Sequence, residues 1–161
     1  MKNLRFVADT MLGDLSRWLR MLGYDTLYSR RFNDNMLLAI AFEHDRVLLT
    51  RDKGLARRAE KKGAKVVYVS SSDVESWLKE LKLRFNIRLE FTPENTRCPI
   101  CNTPLKTVGR NDVREKLPKR IVESYDKFWQ CPRCGKIYWK GTHWITIEKI
   151  LKQVEESLKG S

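Results

Sequence analysis

Short apolar runs alternate with amphipathic segments along the first 90 residues, and this alternation constrains the fold more than any other feature of the sequence. Four apolar runs predict strands: LRFVA (4–8), DTLYS (25–29), RVLLT (46–50) and KVVYV (65–69). Segments with apolar residues at helical spacing follow them, at 10–23, 34–45, 55–63 and 74–85. Strands and helices that alternate at this spacing predict a mostly parallel sheet with helices on both faces. We therefore expect an α/β domain of three layers over residues 1–90.

The pattern changes after Phe91. A turn-rich stretch at 92–96 leads into short β-like pieces that contain all the cysteines. The segment TVGRND (107–112) is interpreted as a hairpin tip and KIYWKG (136–141) as a strand leading to a turn. Residues 143–158 have the spacing of an amphipathic helix. We expect a second, small domain over residues 91–161, which ends in this helix.

The four cysteines form two matching knuckles, Cys98-Pro-Ile-Cys101 and Cys131-Pro-Arg-Cys134. Two residues between the members of each pair allow both sulfurs to reach one ion, which predicts a closed, structural Zn²⁺ site in a zinc ribbon. The interval between the knuckles is longer than usual, and we expect the ribbon to extend its hairpin to accommodate it. Two disulfides or a redox dithiol are the alternatives. No export signal is recognised, which argues against disulfides, and a redox motif would not explain two copies.

Three acidic residues follow or approach the carboxyl ends of predicted strands. Asp9 directly follows the first strand, Asp34 opens the helix after the second, and Asp52 follows the third with one residue between. The carboxyl ends of parallel strands meet at one edge of a sheet, so we expect these candidate catalytic carboxylates to converge there and to hold Mg²⁺ or Mn²⁺. Helix capping is the alternative role for each of them. Asp14 and Asp73 are further candidates for a fourth ligand.

The net charge of +12 is shared equally between the two predicted domains. Residues 1–90 carry 18 basic and 12 acidic side chains, and residues 91–161 carry 14 basic and 8 acidic ones. This favours a polyanionic partner such as RNA, with the ribosome or ribosomal RNA among the candidates; a solvated basic surface would have the same composition. No apolar run is long enough to cross a bilayer, and we expect a cytoplasmic protein without a membrane partner.

Candidate RNA contacts lie in both domains. Arg17 and Arg20 are three residues apart on the side of the first helix that we expect to be more exposed, and Arg51 and Lys53 flank Asp52. Charge balance beside the acids is the alternative role for these four cations. Lys119, Arg120, Trp139 and Lys140 are the candidates in the second domain, where basic and aromatic side chains are mixed. An aromatic residue of so small a domain can instead belong to its core.

Several stretches together resemble one known family. They are FVADTMLGDLSRWLRMLGYDT (6–26), RVLLTRD (46–52), CPICN (98–102) and CPRCGKIYWKGTHW (131–144). In this order they are similar to the Mut-seven C-terminal family of PIN-like ribonuclease domains. The resemblance implies a PIN-like α/β domain, an appended zinc ribbon and RNA cleavage that depends on a divalent metal. The metal-binding acids of the family fall on Asp9 and on Thr50-Arg51-Asp52, and Asp34 falls on an acid that opens a helix. A further acid of the PIN pattern has no clear counterpart.

Three hypotheses follow for the function. The leading one is a metal-dependent endoribonuclease that uses Asp9, Asp34 and Asp52. The second is a catalytically weak RNA- or ribosome-binding adaptor that keeps the fold without the full acid set. The third is a redox protein that uses its Cys-x-x-Cys pairs.

Overall fold

A computed structural model describes residues 3–160 and contains two sheets, one parallel and one antiparallel. The strands are β1 (Phe6–Ala8), β2 (Thr26–Tyr28), β3 (Val47–Thr50), β4 (Val66–Tyr68), β5 (Lys106–Val108), β6 (Phe128–Gln130) and β7 (Ile137–Trp139). The helices are α1 (Gly13–Met21), α2 (Asp34–Glu43), α3 (Lys53–Lys61), α4 (Val74–Phe85), α5 (Arg110–Val113), α6 (Lys119–Ser124) and α7 (Thr142–Lys159). The four predicted strands and four predicted helices of the first 90 residues are all present.

The first sheet has the order β2-β1-β3-β4, and all of its neighbouring strands are parallel. Its two faces bury separate clusters. Leu15 and Leu19 of α1 and Leu78 of α4 pack on one face, while Leu37 of α2 and Leu55 of α3 pack on the other. The predicted α/β class with a mostly parallel sheet and helices on both faces is confirmed. The central strand β1 is fully buried because it is covered on both sides.

Two helix starts differ from the predicted positions, and both differences involve aspartate caps. A 3-10 turn at Thr10–Leu12 precedes α1, because the Asp9 carboxylate accepts a hydrogen bond from the Thr10 N–H. Helix α3 begins at Lys53 rather than at residue 55, because Asp52 caps it by accepting from the Leu55 N–H. In this way the acids that follow β1 and β3 are held at the start of helical segments.

The cysteine module, defined here as residues 92–141, contains the antiparallel sheet β5-β6-β7. The predicted strand and turn at 136–141 is confirmed by β7. The hairpin tip predicted at 107–112 is wrong. The Asp112 carboxylate accepts from the Gly109 N–H at 2.9 Å, which favours the helical turn α5 over a reversal into the next strand. Helices α5 and α6, rather than a longer hairpin, fill the interval between the two knuckles.

Helix α7 packs against α4 and shares the core of the first domain. Leu151 and Val154 are buried there, with Ile147 and Leu158 packed at the margin. The sequence placed this helix at the end of a second domain, residues 91–161, and the structure packs it on the core formed by the first 90 residues. The cysteine module therefore lies in the chain between two parts of one α/β core. The apolar stripe of α7 requires a partner face, and α4 provides it.

The cysteine module is joined to the α/β core through buried polar contacts around Arg20. Its guanidinium Nε donates to the Thr26 carbonyl at 2.9 Å and its Nη1 donates to the Pro99 carbonyl at 2.7 Å. The side-chain amide of Asn102 donates to Asp25 at 2.7 Å and its oxygen accepts from the Thr26 N–H. The first knuckle is thus hydrogen-bonded directly to the end of α1 and to β2.

Close packing at this junction also requires Gly23. Its φ is +93°, and a Cβ at this position would lie 2.6 Å from the Asn95 carbonyl oxygen. Any other side chain would force the start of the cysteine module away from α1. Within residues 3–160, no helix is both long and apolar enough to span a bilayer.

Candidate active site and cysteine cluster

Asp9 and Asp52 are connected through the hydroxyl of Thr50, at the carboxyl ends of the adjacent parallel strands β1 and β3. The Thr50 O–H donates to Asp9 Oδ2 at 2.7 Å, and the Thr50 oxygen accepts from the Asp52 N–H at 3.0 Å. Asp9 Oδ1 also accepts from the Thr10 N–H at 2.6 Å. Asp9 is 8% exposed, whereas Asp52 is open to solvent. The sheet therefore brings the Asp9 carboxylate and the Asp52 backbone to one hydroxyl, and it orients the buried carboxylate of Asp9.

Asp34 does not share the Thr50 contact of Asp9 and Asp52 and has other partners. Its carboxylate lies 3.8 Å from the guanidinium of Arg58 on α3, and the same guanidinium donates to Asn35. Asn33, not Asp34, caps α2, so the capping role considered for Asp34 is wrong. Asp34 instead occupies the first turn, where a negative charge is favourable to the helix.

The expected convergence of the Asp9, Asp34 and Asp52 carboxylates on one ion stays a prediction. Among residues 3–160, the four cysteines are the one group of three or more potential metal ligands close enough to hold a single ion, and Asp9, Asp34 and Asp52 do not form such a group. The Asp34 carboxylate has a cationic partner in Arg58 on the neighbouring helix. Asp14 pairs with Arg17, and Asp73 caps α4.

Cys98, Cys101, Cys131 and Cys134 form a second candidate centre, and their sulfur atoms all lie within 4.8 Å of one another. None of them is in a disulfide. Four sulfurs at about 2.3 Å from a central Zn²⁺ would stand about 3.8 Å apart at the corners of a tetrahedron. The Cys98 and Cys134 sulfurs are separated by 3.8 Å. The cluster therefore has the size and ligand chemistry of a site that could bind zinc.

Neighbouring groups adjust the acidity of the cluster. The Lys136 backbone N–H lowers the pKa of Cys134 to about 7, with further hydrogen bonds from the other thiols. Desolvation, followed by the neighbouring thiols, raises the pKa of Cys101 to about 12. The Tyr138 hydroxyl lies 3.3 Å from the Cys98 sulfur, and burial and this contact raise the pKa of Tyr138. A neutral Tyr138 O–H can donate to a thiolate and hold Cys98 in place.

The predicted cations of the α/β core have different surroundings. Arg20 was expected on the exposed side of the first helix and is instead buried, with its donors directed at Thr26 and Pro99. Its burial lowers the pKa of Arg20, and the nearby cysteine charges oppose that effect. Arg17, Arg51 and Lys53 keep solvent access. Arg17 pairs with Asp14, and the Lys53 ammonium lies 5.8 Å from the Tyr68 ring centroid.

The predicted contacts in the cysteine module are also separated. Lys119 and Arg120 are exposed on α6, where Lys119 lies 3.8 Å from Glu123. Trp139 packs partly into the small core of the module, as the alternative interpretation allowed. Lys140 lies 5.1 Å from the ring centroid of Trp144, which is buried.

Two residues that contact the candidate acids have roles that the sequence did not reveal. Arg58 binds Asp34 from a helix two elements later in the chain, and no local pattern indicates that contact. The bridging hydroxyl of Thr50 follows from the register of β1 against β3, although its position two residues before Asp52 offered a signal.

Comparison with known proteins gives one match. The family model described as Mut7-C RNAse domain matches residues 4–151, which include the four-stranded sheet, the whole cysteine module and the first half of α7. No curated protein and no solved structure matches the chain significantly. Because the family match extends over most of the chain, the resemblance noted in the sequence is confirmed, and the chain belongs to the Mut7-C RNAse domain family.

Proposed function

We propose that this protein is a divalent-metal-dependent ribonuclease that hydrolyses RNA phosphodiesters at the Asp9–Asp52 pair. The family match supports a ribonuclease-like function. The observation that carries the finer proposal is the hydroxyl of Thr50, which contacts the Asp9 carboxylate and the Asp52 backbone N–H at the carboxyl edge of the parallel sheet. Ligands of open α/β sheets bind at this edge, and the hydrogen bonds to the buried Asp9 carboxylate pre-orient it.

The two carboxylates fit a hard cation such as Mg²⁺ or Mn²⁺, which prefers oxygen ligands and keeps several waters. Asp9 and Asp52 would hold it, and the bound ion would supply Lewis acidity toward a phosphate oxygen and acidify a bound water. Thr50 and Thr10 hold the Asp9 carboxylate in position. Arg51 and Lys53, which flank Asp52, are the proposed contacts to neighbouring phosphates, and such contacts position a strand without reading its sequence.

We also propose that the cysteine cluster binds one structural Zn²⁺ and that the cysteine module is a zinc ribbon. The 3.8 Å separation of Cys98 and Cys134 supports a tetrahedral site. The module has a small core of its own, whose buried members are Val113, Val122 and Phe128. Metal binding would therefore contribute much of its folding free energy. A redox role is less well supported, because all four sulfur atoms lie within 4.8 Å of one another, as ligands of a single ion would, rather than as two separate dithiols.

A second candidate function is an RNA- or ribosome-binding adaptor. The observation that favours it is the contact of Asp34 with Arg58, which gives one of the three candidate acids a cationic partner. An adaptor would keep the basic surface and the fold but cleave weakly. A cleavage assay separates the two proposals.

The test of the nuclease is cleavage of generic single-stranded RNA by the full chain, titrated with Mg²⁺ and Mn²⁺. Asp9→Asn and Asp52→Asn preserve size and most hydrogen bonds while each removes one ligand charge. We expect cleavage to fall by about two orders of magnitude or more, since one charged ligand is lost from the metal site. Thermal stability should stay level, because Asn is also an adequate N-cap.

Asp73→Asn is the matched control. Like Asp52, Asp73 caps a helix with its carboxylate, but it is not connected to Thr50. Wild-type cleavage by the Asp73 variant, with loss in the other two, supports the nuclease. Wild-type cleavage by both Asp9→Asn and Asp52→Asn would overturn the proposed site in favour of the adaptor. Asp34→Asn should reduce cleavage more mildly, since Arg58 occupies its carboxylate.

A further inference from the structure

A cleft of about 560 Å³ lies at the junction of the α/β core and the cysteine module. The lining includes Tyr28 of β2 and Phe32 of the following loop, together with Arg97, Ile100 of the first knuckle and Arg133 of the second. The volume falls within the range of about 300–1,000 Å³ that is usual for sites of small ligands. Both parts of the chain are therefore needed to form the cleft.

The cleft is strongly basic. Arg97 and Arg133 line it together with Arg20, and among the residues 3–160 that line it there is no aspartate or glutamate. One guanidinium nitrogen of Arg97 donates to the Asn102 carbonyl at 2.9 Å, which fixes the side chain and leaves its other donors available. Arg133 is exposed and takes part in no ion pair or hydrogen bond found within the described chain. Arg97 also interacts electrostatically with Asp25, which does not line the cleft. An anion in the cleft would therefore meet two arginines, of which Arg133 has no carboxylate partner within residues 3–160.

The aromatic part of the lining adjoins Asp9. The hydroxyl of Tyr28 donates to the Thr10 carbonyl at 2.8 Å, and Thr10 directly follows Asp9 and donates to its carboxylate. Phe32 is half-buried, and Ile100, which also lines the cleft, is 59% exposed. A surface that combines aromatic rings, an exposed apolar side chain and arginines is suited to stacking of unpaired bases, because every base has an apolar face.

We propose that this cleft binds single-stranded RNA beside the acid pair, with phosphates on Arg97 and Arg133 and a base against Tyr28 and Phe32. The inference rests on the proposed function for RNA as the substrate class. It assigns to the cysteine module a direct part in substrate binding. It also replaces Arg20 as an RNA contact, since Arg20 builds the junction while Arg97 and Arg133 remain able to bind phosphate.

The competing role of the two arginines is to offset the negative charge of a zinc-bound tetrathiolate, because Cys101 also lines the cleft. That role would make zinc retention, rather than RNA affinity, sensitive to their loss. Zinc content measured on every variant distinguishes the two.

The experiment uses the full zinc-loaded chain carrying Asp9→Asn, so that RNA is bound without being cut. Binding of a fluorescein-labelled oligouridine is measured by fluorescence anisotropy across a salt series. Arg133→Ala and Arg97→Gln should each weaken binding about fivefold. Each should also reduce the magnitude of the log–log salt slope by about 0.7, the value for one phosphate contact on a single strand. Phe32→Ala should weaken binding by at least about fivefold through lost stacking.

Arg84→Ala is the control, because it removes one positive charge from α4, which does not line the cleft. The log–log salt slope of RNA binding by this control should match that of the chain that carries Asp9→Asn alone. A second readout needs no change in the cleft: RNA containing 4-thiouridine is photo-crosslinked to the parent chain, and the attached peptides are identified by mass spectrometry. We expect crosslinks in the segments 24–34 and 97–104.

Crosslinks confined to other segments would overturn the proposal even if a cleft variant failed to fold. So would an Arg133→Ala chain that loses zinc but binds RNA with the slope of Arg84→Ala. Because binding is measured without cleavage, these outcomes are separate from failure of the nuclease, which appears as retained cleavage by the Asp9 and Asp52 variants.

Discussion

Replacement of Arg20 with methionine tests whether this arginine joins the two parts of the chain. Methionine keeps much of the apolar stem and removes the guanidinium. The Thr26 and Pro99 carbonyls then lose the donors that reach them at 2.9 and 2.7 Å. If Arg20 were a surface contact to RNA, the same change would weaken binding and leave the folded state unaffected.

The magnitude follows from these two contacts. A hydrogen bond from a charged donor contributes about 1.5–3 kcal/mol, so the pair contributes about 3–6 kcal/mol. Removal of a buried guanidinium also recovers part of its desolvation cost, and burial is the main cause of the lowered pKa of Arg20. The net loss in the free energy of unfolding should therefore be about 2–4 kcal/mol, since the recovered desolvation offsets part of the lost bonds.

The assay is equilibrium urea unfolding of the full chain, followed by tryptophan fluorescence. Arg17→Met is the matched control, because Arg17 lies three residues earlier on α1 and forms an exposed ion pair with Asp14. Exposed pairs contribute little, and the control should change stability by less than about 0.5 kcal/mol.

Two results would refute this reasoning. One is an Arg20→Met change of less than about 1 kcal/mol, which is below the cost of leaving one buried carbonyl unpaired. The other is an Arg17 control that is equally destabilised, which would show that any loss of charge from α1 has the same effect. Lower RNA affinity at unchanged stability would restore Arg20 as a surface contact.

Three further outcomes are expected. Leu151→Ala should lower the free energy of unfolding by about 2–5 kcal/mol in the same urea assay, because Leu151 is buried against the α/β core; a loss below about 1 kcal/mol would contradict the docking of α7. Cys98→Ser should reduce bound zinc from one equivalent toward none by elemental analysis, and full retention would exclude a four-cysteine site. Burial alone would raise the pKa of Asp25, but hydrogen bonds from Arg46 and Asn102 outweigh it and lower the pKa. The stability that this ionised carboxylate contributes is present above the unfolded-state pKa of about 3.9, and it is lost as the pH falls through the lower folded-state pKa. The free energy of unfolding of Asp25→Asn, measured from neutral to acidic pH, should therefore fall less steeply than that of the unchanged protein.

The local patterns of the sequence correctly predicted most of the elements. The periodicity of residues 1–90 predicted four strands, four helices and a parallel sheet, because an element with one apolar face must bury it. Helix α4 has the predicted bounds, since Asp73 caps it and its apolar stripe is regular. The spacing of the cysteines predicted their convergence, because two residues between each pair already bring the sulfurs near a common point.

Tertiary structure decided the contacts between segments that are distant in the chain. The burial of Arg20 depends on the carbonyl of Pro99, 79 residues later, and the pairing of Asp34 depends on Arg58 of a neighbouring helix. The position of α7 depends on the face of α4 against which it packs, and no pattern within residues 142–159 reveals that partner. An amphipathic pattern predicts that one face of a helix will be buried, but it does not predict which element will cover that face. A charged residue in the sequence likewise does not indicate whether a group of opposite charge or a hydrogen-bond acceptor will lie beside it. The sequence by itself therefore determined the elements and the knuckles, whereas the packing of separate segments decided which acids meet and which arginines remain able to bind a ligand.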